Sequence, residues 1–259
     1  MRHPIRAHPA GSRTIGRVNL PPPRGPQLPA HSSWPLAGGA AGLLAAAAAA
    51  LTAGAMLWPP LAAVATVTLA VALRTGADRH RQRLAGYLRR WRRAQPDPQL
   101  AEQLARFGCP LPVRMVPGPP NAFLLADGLL VTDQLADLQP AAIDAVLAHE
   151  AAHHLAGDHA WVAAAETPLE AVHATFQATT PARMLAGAVI LSGAALPLLL
   201  LAGAAVSLRR QLEYRADAAA ATLLGDTGPV IAAIDACPGL PRLTHPSAKR
   251  RAARLARRC

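Results

Sequence analysis

From Pro35 to Leu73 the chain carries no charged residue, and Leu36–Leu57 is an unbroken run of apolar and small side chains. At about 1.5 Å per residue these 22 residues can cross a hydrocarbon core of about 30 Å. "WPP" at 58–60 breaks the run, and Leu61–Leu73 adds 13 further residues. Arginine-rich stretches flank the segment on both sides, and such flanks stay cytoplasmic. Both lie inside only if the chain crosses twice. The pattern therefore predicts a transmembrane helical hairpin over 35–74 with its tip at Trp58–Pro60. One long kinked helix is the alternative, and it would put the following domain outside, against the charge rule.

Beyond the hairpin the period changes. Residues 75–104 form a basic amphipathic linker, an arginine-studded helix broken by "QPDP" at 95–98, with a second short helix running on to about 108. "VRMV" (113–116) is a strand. In "NAFLLADGLLVTDQL" (121–135), two apolar runs flank Asp127-Gly128, a two-residue hairpin signal. A helix over 140–156 follows, with Pro140 at its first position, Ile143, Val146 and Leu147 as its stripe and Gly157 as its stop. Residues 184–208 are apolar between Arg183 and Arg209-Arg210, and "RRQLEYRADAAAATLLG" (209–225) reads as a helix. The tail is a short loop and a basic helix. The fold class expected is α+β and mostly helical: a membrane hairpin plus a catalytic domain over 105–259 with a small β-hairpin or sheet.

Composition sharpens this picture. The chain is 52% hydrophobic and only 16% charged, against roughly a quarter charged in soluble domains. Its net charge is +11, and most of its 26 basic residues lie in clusters: five arginines in 1–34, eight in 74–93 and six basic residues in 249–258. No aromatic interleaving or finger spacing accompanies them, so lipid attraction and cytoplasmic retention are favoured over nucleic acid. Residues 1–34, rich in Pro, Arg and Gly, are expected to be a disordered cytosolic arm. The three cysteines, Cys109, Cys237 and Cys259, have no paired spacing and suit a reducing compartment.

The chemistry sits in "LAHEAAHHLAGDH" (147–159). On a helix, His149 and His153 lie on one face and can present two imidazoles to one cation. Glu150 can reach a water bound to that cation, which is the zinc-peptidase logic of H-E-x-x-H. His159 has the spacing of a third histidine ligand, but the glycine such a pattern needs falls on Ala156, one place before Gly157. No Met-turn follows, since Met184 opens the apolar segment. Glu166 and Glu170 lack a supporting partner. Glu213 has Asp217 one turn on, so Glu213 can bind the metal while Asp217 accepts from the far nitrogen of a ligand histidine.

"VLAHEAAHHLAGDH", "EYRAD", "PNAF" and "THPSAKRRAARL" together resemble the membrane zinc metallopeptidases that include the HtpX proteases and the CAAX prenyl endopeptidases. The likeness covers about 105 to the end. It implies one Zn2+ held by His149, His153 and Glu213, with Glu150 as base and proton shuttle and Asp217 orienting a ligand. Asn121, Ala122 and Phe123 match the segment that opens a substrate-binding edge strand. His245 and Arg251 match groups placed to stabilise an oxyanion. The implied partners are a peptide or protein substrate and a lipid membrane. The implied location is the plasma membrane, multi-pass, with the catalytic domain in the cytoplasm and a role in membrane-protein quality control.

One departure matters. HtpX-type relatives carry two spans between the metal helix and the Glu helix, and 25 residues (184–208) are too few for two crossings of about 20 each. A single crossing would separate Glu213 from His149. A shallow re-entrant hairpin breaking near "GAALP" (193–197), or an interior helix pair packed on 36–73, resolves this. The alternatives in function are an antirepressor-type sensor peptidase and a catalytically idle membrane scaffold.

Overall fold

The computed structural model describes residues 59–125, 127–175, 194–237 and 246–257, with isolated positions 48, 49, 52, 184, 187 and 189. The arm 1–34, most of Leu36–Leu57, Trp58 at the expected hairpin tip, and His245 lie outside the described residues. Among those described, seven α-helices surround a four-stranded mixed sheet.

Helix α1, Pro59–Arg93, is 35 residues long and so about 52 Å. Its two leading prolines occupy positions that need no backbone donor. The boundary drawn at residue 74 is not a break: apolar and basic halves form one rod, because no helix breaker stands between them. Ala65, Leu69 and Ala72 of the apolar half pack on Ala171, Val189, Ala194 and Leu198. Val64, Val67 and Val71 on the opposite side stay exposed. At Gly76 the partner helix comes so close that a Cβ would sit 2.2 Å from the Thr167 carbonyl oxygen.

The "QPDP" break yields β1 (Gln95–Pro96) and then α2 (Pro98–Arg106), whose N-cap Asp97 accepts from the Leu100 N–H at 2.9 Å. Strands β2 (Val113–Val116), β3 (Ala122–Leu125) and β4 (Gly128–Thr132) complete a sheet of order β1-β2-β4-β3, so β3 is an edge. Leu125 pairs with Gly128, so Gly128 belongs to β4 and is not a loop residue of the expected Asp127-Gly128 turn. Gly128 is needed for space instead: a Cβ there would lie 2.2 Å from the Trp91 ring. One face of the sheet, with Val113, Leu129 and Val131, packs on Leu147 and Ala151 of the helix over 140–155. The other, with Leu125 and Leu130, is covered by Tyr87, Trp91 and Ala94 from the end of α1 and just beyond it.

A 3-10 turn (Asp133–Asp137) leads into α3 (Pro140–Leu155), followed by α4 (His159–Thr175), α5 (Ala195–Leu224), α6 (Gly228–Ala236) and α7 (Ala248–Ala256). Ala194 caps α5 with φ −69° and ψ −11°, Ala195–Pro197 of "GAALP" are already helical, and Gly193 lies outside the described residues. The 30 residues of α5 then run unbroken from the apolar segment through Glu213. Ala142, Ala145 and Ala148 of α3 pack on Ala220, Val230, Ala233, Ile234 and Leu255, which locks α3 to α5, α6 and α7. Of the described helices, α5 alone is long and apolar enough to cross a membrane.

Candidate metal centre

Helix α3 presents His149 and His153 one turn apart, and α5 brings Glu213 to them. One ligand atom from each lies within 4.8 Å of the others. The two Nε2 atoms are 3.2 Å apart. His149 Nε2 is 3.5 Å from Glu213 Oε2, and His153 Nε2 is 3.9 Å from Oε1. Two donors bonded to one ion at about 2.0–2.1 Å in tetrahedral geometry sit about 3.3 Å from each other. The site therefore already has the edges of a metal tetrahedron, and the three groups can hold a metal ion.

The far nitrogens explain why both Nε2 atoms face inward. His153 Nδ1 hydrogen-bonds Asp158 Oδ2 at 2.7 Å. His149 Nδ1 lies 3.0 Å from Asp217 Oδ1, a close approach without ideal alignment. Ionised carboxylates only accept, so each Nδ1 is a protonated nitrogen, and the two Nε2 atoms face each other across 3.2 Å, where either a proton or a metal cation can sit between them. Burial alone would push His149 down, but Asp217 and Glu213 outweigh it and hold its imidazole up at about 10. Burial, reinforced by His149, pushes His153 down to about 4.

The other expected residues fall as follows. Glu150 is half-buried on α3 beside His149, and its charge is felt at His153 and Arg251. Asp217 is buried and grips Arg251 of α7 through two oxygens, Nε at 2.8 Å and Nη2 at 2.5 Å. Arg251 also comes within 3.9 Å of Glu213 Oε2. His159 opens α4 with its ring 5.9 Å from that of His154, outside the metal group. Glu166 faces Arg209 at 3.7 Å and Glu170 pairs with Arg83, so both are engaged elsewhere. Asn121 precedes β3, and its Oδ1 accepts from Ala122 N–H at 2.9 Å. The Phe123 ring rests 5.2 Å from Tyr87. Sequence reasoning missed Asp158 and its ion-pair partner Arg215; the glycine-aspartate pair closing α3 was the available signal.

The family model for Peptidase family M48 matches residues 92–259, a stretch that takes in all four motifs behind the resemblance. The chain belongs to Peptidase family M48. As an M48 member it is a metallopeptidase, a hydrolase acting on peptides or proteins, and its His-His-Glu cluster is the group suited to the metal. No curated protein and no solved structure matches this M48 chain.

Proposed function

We propose that the chain is a membrane-bound zinc endopeptidase whose catalytic part faces the cytoplasm. The observation that carries this is the pair of facing imidazole nitrogens with the Glu213 carboxylate beside them. Two imidazoles and one carboxylate at tetrahedral spacing, with a fourth position left for water or substrate, suit zinc. When bound, zinc would polarise the scissile carbonyl and acidify a water. Glu150 takes the proton of the attacking water and delivers it to the leaving amine. Asp217 fixes the tautomer of His149, and Arg251 holds Asp217. Because its guanidinium is committed to Asp217, we read Arg251 as an orienting group first and an oxyanion donor second. His245 keeps its proposed oxyanion role by family likeness.

The substrate is read as an extended segment lying along β3. Thr132 N–H bonds the Asn121 carbonyl, so by strand alternation Ala122 and Leu124 turn their backbone groups away from β4. An incoming strand would pair there. Asn121 Oδ1 covers the Ala122 donor, leaving that of Leu124 as the next in line.

Membrane attachment is supported by the exposed Val64, Val67, Val71, Leu196 and Leu199 on α1 and α5. The uncharged part of α5, Ala195–Leu208, is about 21 Å long, so a full crossing of about 30 Å would have to draw Arg209 and Arg210 into the bilayer. That length favours a shallow, re-entrant insertion which returns Glu213 to the side of His149. Segments of membrane proteins are the substrates that family likeness suggests. The test is Glu150→Gln: cleavage of an extended fluorogenic peptide should fall at least about 100-fold with zinc content unchanged. Normal cleavage by that variant would overturn the mechanism.

A further inference from the structure

We propose that Asp158 and Arg215 are positioning residues for the metal site, holding His153 as Asp217 and Arg251 hold His149. The inference rests on the metal-site reading above and extends it to two residues at the end of α3 and the middle of α5.

The end of α3 is built to make this contact. Gly157 N–H bonds the His154 carbonyl at 3.0 Å, and Asp158 N–H bonds the His153 carbonyl at 3.1 Å. Those two bonds, with Gly157 at φ +67°, form a Schellman stop, in which the side chains three residues inside the helix and just beyond it meet. Apolar residues usually occupy those two places. In this chain they are His153 and Asp158, and the meeting becomes the 2.7 Å hydrogen bond on Nδ1. The Asp158 carbonyl then accepts from Val162 N–H at 2.8 Å, opening α4. Its backbone is thus fixed by two helices at once. The glycine that failed to fit a third-histidine pattern is the residue that aims this carboxylate.

Arg215 supplies the countercharge. Asp158 is 2% exposed, and a carboxylate buried to that degree is costly unless paired and hydrogen-bonded. Arg215 reaches it across 57 residues of sequence, from α5, two places beyond Glu213. The pair therefore ties the helix carrying two ligands to the helix carrying the third.

The experiment measures zinc affinity of the full chain by competition with a chromophoric chelator. Asp158→Asn should weaken zinc binding about 10–100-fold. Arg215→Gln should weaken it by less, because the carboxylate still accepts from His153. The double variant, charge-balanced and therefore the safeguard for folding, should match Asp158→Asn alone, since Arg215 acts only through Asp158. Removing the remote pair, with Arg83→Gln and Glu170→Gln together, should leave zinc affinity unchanged. Cobalt-substituted protein adds a spectroscopic readout: its visible bands should shift in Asp158→Asn and stay put in the remote variant. Wild-type affinity in Asp158→Asn or in the double variant would overturn the proposal, as would equal loss in the remote control. Failure of the wild-type chain to bind zinc would instead bring down the metal-site reading itself.

Discussion

Zinc binding at neutral pH should release about one proton per ion, and this follows from how four nitrogens are placed. Both Nδ1 atoms are turned to carboxylates, His153 to Asp158 at 2.7 Å and His149 to Asp217 at 3.0 Å. The two Nε2 atoms 3.2 Å apart must then share a proton until a metal replaces it. That proton belongs to His149, held up at about 10, while His153, pushed down to about 4, stays neutral. Ligand imidazoles must be neutral, so one proton leaves across roughly pH 5–9, and the apparent zinc association constant rises about tenfold per pH unit there. The signs for the apoprotein's stability are opposite for the two residues. His149, raised above 6.5, stabilises fully below about that pH, and its contribution fades as pH climbs through about 10. His153, lowered from 6.5, costs stability as pH falls from there through about 4. Isothermal titration of zinc at pH 7 in buffers of different ionisation enthalpy reads the proton count directly. A zero slope, with zinc affinity independent of pH, would mean both imidazoles are neutral before the metal arrives and would refute the reasoning.

Two further outcomes are expected. Gly76→Val places side-chain atoms where a Cβ already meets Thr167 O at 2.2 Å and Ala171 N at 2.6 Å, forcing α1 and α4 apart. Thermal or denaturant unfolding should show a loss of roughly 1–3 kcal/mol, and an unchanged midpoint would contradict the packing. Leu124→Pro removes an outward donor from edge strand β3, a place where proline is sterically tolerated. Peptide cleavage should drop about tenfold or more while zinc content holds, since main-chain pairing gives such docking its affinity; full activity would place the substrate elsewhere.

How much was legible in the sequence follows the range of the forces involved. Local signals read well. Pro140 and Gly157 bound α3, Asp97 and Pro98 start α2, and Gly225 at φ +69° ends α5. The clustering of His149, His153 and Glu213 was legible because two members share a helix turn and the third carries its own partner at i+4. Helix α4 was hidden: it contains Pro168, and its apolar residues are mostly alanine, so no stripe stands out. Gly128 was read as a turn residue because glycine after aspartate usually is one, whereas the real constraint is Trp91, 37 positions away in the chain. Asp158 escaped for a related reason. Attention to side chains four apart on the helix passes over contacts made by the residue just past its stop, and Arg215 is recognisable only once α5 is docked.

The central claim is that the metal is held by His149, His153 and Glu213, with His159 a bystander. Metal analysis of the purified chain beside Glu213→Ala and His159→Ala tests it most directly. Wild type and His159→Ala should each hold about one zinc per chain, and Glu213→Ala should lose it. Retention in Glu213→Ala with loss in His159→Ala would contradict the claim.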